Sequence, residues 1–304
     1  MTDPFIEASA LARLVTDADT ARRLSDGLME VLDTGDAVVA TFEEADAWAV
    51  EIYFERPPDH DAVRALLRDI AGDATGARVA FTTVAERDWV ARSLAGLAPV
   101  PAGRFVVHGS HDRHRVPPNR IGVEIEAALA FGTGHHGTTR GCLLALDRIL
   151  RRRRPRRILD VGCGTGVLSI AAALATRRPV QAGDIDHVSV RVARDNVRLN
   201  HVGAHVRVLR GNGLADRRMR AHAPFDLVFA NILLGPVRRL ATPIRRVAAP
   251  GARVVISGLL SSQAAAALAS YRALGFVLER RIVLDGWLTL VLKHPKRRVA
   301  GIGS

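Results

Sequence analysis

Apolar residues change period several times before residue 84. Phe5 to Leu14 reads as a strand. Thr16 to Leu32 reads as a helix, with Leu24, Leu28, Val31 and Leu32 along one stripe and Thr16 or Asp17 as N-cap. Ala37 to Phe42 reads as a strand, as does Trp48 to Phe54, which puts Trp48, Val50, Ile52 and Phe54 on one face. Asp59 to Ala71, entered after Pro57-Pro58, reads as a helix, and Ala77 to Val84 as a further strand. The order β-α-β-β-α-β predicts a ferredoxin-like α+β unit. A short helix over Ala85 to Leu94 follows, then a proline-bearing segment, Pro99 to Arg120, that reads as a junction.

The pattern becomes regular further on. A helix ends near Leu150, with Thr138 or Thr139 as its cap. Strands are predicted at Ile158–Asp160, Pro179–Asp184, Val206–Arg210, Phe225–Ala230 and Arg253–Ser257. The helices among them are Val167–Ala175, His187–Asn200, Pro236–Val247 and Ser261–Leu274. Such β-α alternation implies a parallel sheet with helices on both faces. Phe276–Val283 and Trp287–Lys293 form a hairpin around Asp285-Gly286, which adds an antiparallel edge strand.

Composition narrows the class. The 304 residues suffice for two domains. No run approaches the roughly 18 apolar residues of a membrane helix, and the N-terminus is not signal-like, so the chain is placed in the cytoplasm with no membrane partner. Cys142 and Cys163 are too few for a disulfide framework and suit a reducing compartment. The net charge is +12, and only Lys293 and Lys296 among the 43 basic residues are lysine. That charge either aids solubility or favours an anionic partner such as RNA or a ribosome. Arg151 to Arg157 carries six arginines around Pro155 and reads as a solvated connector or an RNA contact. His108, His111 and His114 read as solvated histidines rather than metal ligands: no cysteine lies near, and Arg113 and Arg115 would repel a cation. No metal is expected.

The chemistry centres on Ile158-Leu159-Asp160-Val161-Gly162-Cys163-Gly164-Thr165-Gly166, a strand, a glycine turn and a helix start. The spacing is Gly-x-Gly-x-Gly rather than the dinucleotide form, and Asp160 puts a carboxylate at the mouth of the turn. Against a pyrophosphate, like charges about 4 Å apart cost on the order of 4 kcal/mol. A cationic ligand without phosphate, such as S-adenosylmethionine, avoids that cost. Asp184 ends the second strand, where a carboxylate can accept both ribose hydroxyls; the bland alternative is a helix cap, for which Asp186 is available. Asn231-Ile232 ends the fourth, where a side-chain amide and a backbone carbonyl can hold a substrate amine; a plain turn asparagine is the alternative. Ala130-Phe131-Gly132-Thr133-Gly134-His135-His136-Gly137-Thr138-Thr139 suggests a ligand-covering loop.

Together these stretches resemble class I S-adenosylmethionine-dependent methyltransferases. Ala130 to Thr139, Leu159 to Gly166, Asp184-Ile185-Asp186, Asp195-Asn196, Asn231-Ile232-Leu233 with Gly235-Pro236, and Ser257-Gly258 are similar to the PrmA family. Asp88-Trp89-Val90 and Gly103-Arg104 resemble that family's interdomain junction. Glu126-Ala127-Ala128 and Leu234 depart from its pattern, and a second tryptophan after Trp89 is lacking.

The resemblance implies a Rossmann-like methyltransferase domain at 121–294, a substrate-recognition domain at 1–84, a linker at 85–120 and a basic tail at 295–304. It implies cofactor contacts from Thr139, Gly162, Asp184 and Asn231, with Asn231 also the catalytic candidate, and from Phe131 over the cofactor; Asp160, Gly164 and Gly166 belong to the same turn. It implies methyl transfer from S-adenosylmethionine to amines of ribosomal large-subunit protein eleven, free or on the ribosome, by a monomer, with rRNA as a further contact. No residue is assigned as general base; His136 is the nearest candidate. The alternatives are a methyltransferase for another protein or for RNA, and a non-catalytic assembly factor.

Overall fold

The alternation read near the N-terminus builds a four-stranded antiparallel sheet in the first of two compact units, Met1–Ala95. The computed structural model describes residues 9–32, 37–44, 47–54, 57–84, 99–126, 137–284 and 286–295. In the first unit β1 (Ser9–Thr16), β2 (Ala37–Glu44), β3 (Ala47–Phe54) and β4 (Ala80–Val84) lie in the order β2-β3-β1-β4. Helices α1 (Ala18–Val31) and α2 (His60–Ala71) bury Leu24, Leu28, Val63 and Leu67 among Leu14, Val50 and Ile52 of the sheet. This is the expected ferredoxin-like arrangement. Two starts shift. Thr16 is the last residue of β1, so the cap is Asp17, which accepts the Thr20 N–H at 2.9 Å. Residues Asp73–Ala77 form a short helix, α3, so the following strand starts only at Ala80. Asp59 caps α2 through the amides of Asp61 and Ala62.

The second unit, Gly96–Ser304, opens with a small sheet where the prolines had suggested a connector. It consists of β5 (Val100–Ala102), β6 (Phe105–His108) and β7 (Ile121–Glu124), with a 3-10 turn over Ser110–Arg115. The reading of solvated histidines fails for His108, which is 6% exposed and holds the Gly109 carbonyl at 2.8 Å, and stands for His111 and His114. No described group of His, Cys, Asp and Glu is arranged to hold a metal.

The main sheet contains β8 (Ile158–Val161), β9 (Val180–Asp184), β10 (Val206–Arg210), β11 (Phe225–Asn231), β12 (Ala248–Leu260), β13 (Val277–Leu284) and β14 (Trp287–Lys293). Their order is β10-β9-β8-β11-β12-β14-β13. The helices are α4 (Gly137–Leu150), α5 (Val167–Thr176), α6 (His187–Leu199), α7 (Arg217–Arg220), α8 (Leu234–Val247) and α9 (Ala264–Arg272). β8 to β12 run parallel, and β14 is antiparallel to both of its neighbours. The antiparallel strand is therefore inside the sheet, and β13 forms the edge. The burial explains the correction: Leu288 to Leu292 of β14 are buried, whereas β13 alternates exposed and half-buried residues as an edge strand does. One face of the sheet packs Phe229 and Val255 against α4 and α5, the other packs Val228 and Val254 against α8 and α9. A switch of direction between β8 and β11 leaves their carboxyl ends as the place for a ligand.

Candidate active site at the strand ends

The turn after β8 is shaped by its own backbone. Gly162, Gly164 and Gly166 all have positive φ, a conformation that side chains disfavour. The amides of Gly162 and Cys163 donate to the Gly183 carbonyl at 2.9 and 3.2 Å, which closes the turn against β9. A Cβ on Gly162 would lie 2.4 Å from the Ile232 side chain, so the turn also touches the chain leaving β11. The neighbouring Cys163 is buried, and burial pushes its thiol well above the ordinary range, so it stays protonated and is no nucleophile.

Asp160 sits beneath this turn rather than open at its mouth: it is 1% exposed. Its Oδ2 accepts the Ser169 hydroxyl at 2.6 Å, while Oδ1 is buried with no partner among the described residues. Burial, with a smaller push from the Asp184 charge, raises its carboxyl to about 6. An orphaned acidic oxygen under a glycine turn suits a cation and opposes a phosphate.

Asp184 ends β9 half-buried. Its Oδ2 accepts the Gly164 N–H at 2.9 Å and its Oδ1 the Asp186 N–H at 3.1 Å. Those bonds aim the carboxylate and leave a lone pair on each oxygen for hydroxyl donors. The capping role belongs to Asp186, which accepts the Val188 and Ser189 amides. Asn231, at the end of β11, donates from Nδ2 to the Thr139 hydroxyl at 3.5 Å, which leaves its Oδ1 free for a donor. Thr139 is 1% exposed inside the first turn of α4, so it and Thr138 are helical residues and not caps. Phe131, His136 and the rest of 127–136 lie outside the described residues, as do the helix expected over 85–94 and the Asp88-Trp89-Val90 stretch.

Four residues support the site although the sequence assigns them no role. Ser169 lies in an apolar helix, where a lone hydroxyl in Val-Leu-Ser-Ile-Ala is the signal of a buried partner. The Ser257 hydroxyl bridges the carbonyl of Leu288 at 3.0 Å and the Thr289 hydroxyl at 2.8 Å. Gly258 has φ +79°, and a Cβ there would lie 2.6 Å from the Ile232 oxygen, so β12 backs directly onto the chain after Asn231. Asn196 was quoted within a motif without a role. It donates to the Thr165 carbonyl and accepts the Glu126 N–H, each at 3.0 Å, and so ties the glycine turn to the chain leaving β7.

A profile of the PrmA family, ribosomal protein L11 methyltransferase, matches residues 8–295. A ribosomal protein L11 methyltransferase from Rhodopseudomonas palustris (strain BisB5) is 54% identical over 280 residues, 92% of this chain and 95% of that protein. One from Bradyrhizobium diazoefficiens is 57% identical over 274 residues, covering 90% and 93% respectively. The crystal structure of a ribosomal protein L11 methylase from Lactobacillus delbrueckii subsp. bulgaricus superposes with a TM-score of 0.59 at 23% identity, over 66% of this chain and all of that one. That likeness speaks for the fold alone.

Proposed function

Since the chain belongs to the PrmA family of ribosomal protein L11 methyltransferases, we infer that it methylates ribosomal protein L11 at amine nitrogens, at lysine side chains and at the N-terminal amine. The observation that carries the reading is the family match across residues 8–295, which spans both compact units. S-adenosylmethionine, when bound, supplies a methyl group on a cationic sulfur. The residues that would hold it are Gly162, Gly164 and Gly166 through the turn, Asp160 beneath it, Asp184 for the ribose hydroxyls and Thr139 beside Asn231. Phe131 would cover it.

The remaining work falls to the chain itself. A lysine with pKa near 10.4 costs roughly 4.6 kcal/mol to deprotonate at pH 7. Desolvation lowers that cost by disfavouring the ammonium. The Asn231 Oδ1, held by the amide's bond to Thr139, accepts an N–H from the neutral amine and orients its lone pair. Ionised Asp160 is a buried charge with one oxygen that has no partner among the described residues, so a cation above it relieves that cost and lowers its raised carboxyl. Cys142 is pushed up to about 12 by burial and plays no acid-base part.

The first unit is the substrate-recognition part in this reading, with the cytoplasm as its compartment. Free, buried Cys142 and Cys163 support a reducing compartment, and among the described residues no helix is long and apolar enough to cross a membrane. The experiment is to incubate the protein with labelled S-adenosylmethionine and either undermethylated ribosomes or free L11, and to map the label by mass spectrometry. Label on L11 lysines and its N-terminus is expected. Label in rRNA alone would overturn the assignment.

A further inference from the structure

The two ends of the main sheet carry opposite chemistry. At the carboxyl ends of β8, β9 and β11 stand Asp160, Asp184 and Asn231, and the turns 162–166 and 232–236 hold no arginine, whereas the edge strand β10 ends on the exposed Arg210. At the amino ends the segment feeding each of β9, β8, β11 and β12, a loop or the last turn of a helix, brings arginine. Arg177 and Arg178 precede β9, the run 151–157 precedes β8, Arg220 precedes β11, and Arg245 and Arg246 precede β12. All of these side chains are exposed. Among the described residues no carboxylate forms an ion pair with Arg152, Arg154, Arg156, Arg157, Arg177 or Arg178. Asp216 lies near Arg220, but it is engaged by Arg218 at 2.7 Å.

The run 151–157 is not a loose tail. Pro155 is buried, and the amides of Arg156 and Arg157 donate to the Asp226 carboxylate at 2.8 and 3.0 Å. Arg153 donates to the Gly251 carbonyl at 2.7 Å, which fastens the run to the start of β12. Arg220 and Arg246 line a cavity of about 410 Å³ with Leu214, Pro243 and Val247. The chain's overall bias to arginine over lysine accounts for the residue type, not for its collection at one end of a sheet. Like charges held together repel, so a fixed cluster of this kind is a counter-charge waiting for a polyanion.

We propose that the amino-end edge of the sheet, from the loop before β9 to the last turn of α8 before β12, is a docking surface for single-stranded RNA. The four strands are adjacent, and at about 4.8 Å between neighbours the loops span on the order of 14 Å. That width accommodates a few consecutive phosphates of one extended strand. Guanidinium groups pair with phosphate oxygens in a two-pronged fork and stack on bases, which an acidic protein surface does not exploit in the same way. The surface lies at the opposite end of the sheet from the candidate active site, so the inference does not rest on the methyl-transfer reading.

The test uses the full chain and a fluorescein-labelled RNA oligonucleotide of mixed sequence, read by anisotropy across a salt series. R152Q/R154Q/R156Q/R157Q leaves Arg151 and Arg153 in their native bonds. It should flatten the log–log salt slope by about 3, at about 0.7 per lost phosphate contact, and weaken binding at least tenfold at low salt. R177Q/R178Q, on the neighbouring loop, should flatten it by about 1.4, and serves if the first variant does not fold. A control of equal charge elsewhere on the unit, R191Q/R198Q/R280Q/R281Q, should change the slope little. Equal losses in the control would show that binding is diffuse and overturn the proposal. So would polyglutamate that competes as well as RNA does. Methylation of free L11 by the same variants is expected to stay unchanged, so failure of RNA docking and failure of the enzymatic reading give different results.

Discussion

The buried carboxyl of Asp160 should leave a signature in the stability of the protein as a function of pH. The side chain is 1% exposed, one oxygen has no partner among the described residues, and burial raises its carboxyl from 3.8 to about 6. The folded chain thus holds this proton more tightly than the unfolded chain does. Between pH 4 and 6 the folded state binds more protons, so stability falls as pH rises through that window, and the cost is fully present above it. A shift from 3.8 to about 6 corresponds to about 3 kcal/mol at pH 7.5, at about 1.4 kcal/mol per pH unit. Asp160→Asn keeps an acceptor for Ser169 and cannot ionise. Denaturant unfolding of both proteins without cofactor, at intervals from pH 4 to 8, gives the difference between them. The variant should gain on the wild type by about 3 kcal/mol between pH 4 and 7.5, on top of a pH-independent destabilising offset of about 1–3 kcal/mol from the buried amide that lacks an acceptor. A cationic cofactor should reverse the balance, so its binding should release a proton below pH 6 in wild type and none in the variant. Calorimetry in two buffers of different ionisation enthalpy measures that release. A difference that stays flat across pH 4–6, or an Asp160→Asn protein less stable than wild type at pH 7.5, would refute the reasoning.

Asp184→Ala removes the acceptor expected for two hydroxyls and also frees the Gly164 and Asp186 amides. At about 1.5–3 kcal/mol for each bond to a charged group, cofactor affinity should drop at least 100-fold by calorimetry, and unchanged affinity would sink the site assignment. Asn231→Ala should lower kcat by ten- to a hundredfold with less than a threefold change in cofactor affinity, because the amide faces the substrate amine; equal loss in both would place it on the cofactor instead. Gly258→Ala forces a Cβ against the Ile232 backbone at positive φ and should cost about 1–3 kcal/mol in thermal unfolding and displace Asn231, with kcat falling alongside; a fully active, equally stable variant would contradict the close approach.

The parts of the site visible in the sequence are those where chemistry and backbone geometry coincide. Asp184 and Asn231 were legible because a strand's last residue is fixed by the strand: Asn231 is the polar residue after four apolar ones, and Asp184 is the acid that closes Val-Gln-Ala-Gly before a helix. The three glycines were legible because positive φ demands them. Burial was not legible. Asp160 looked like an open carboxylate because its one-dimensional neighbours are a strand and a turn. Its enclosure comes from α5 and β9, and from a Ser169 hydroxyl nine residues away. The same blindness explains the segment 99–120. Pro101 is the middle residue of β5, an edge strand, and Pro99, Pro117 and Pro118 lie outside strands and helices, where a missing N–H costs little, so they announced a linker while Phe105 to Val107 went into the core. The exchange of edge strand has the same origin. Trp287 to Leu292 is apolar at both alternating faces except for Thr289, a pattern that marks two-sided burial, but the hairpin suggested adding strands in chain order.

What joins these observations is that one sheet separates two electrostatic tasks. Above the carboxyl ends an acid is kept out of water, where it has no partner of its own and a cation is its natural complement. That arrangement is unfavourable for the ligand-free chain, and it is tolerable only if the bound state returns the cost, which is why proton release and cofactor affinity should rise together. At the amino ends the cost has the opposite sign and the opposite remedy. Six exposed arginines within 151–157 repel each other in water, are held in place by Asp226, Pro155 and Gly251, and are relieved by a negatively charged chain. A sheet's parallel strands fix which loops meet at each end, so segregating the charges needs no more than choosing residues before or after each strand. The two sites can then be altered independently, and substitutions at one end should leave the binding measured at the other unchanged.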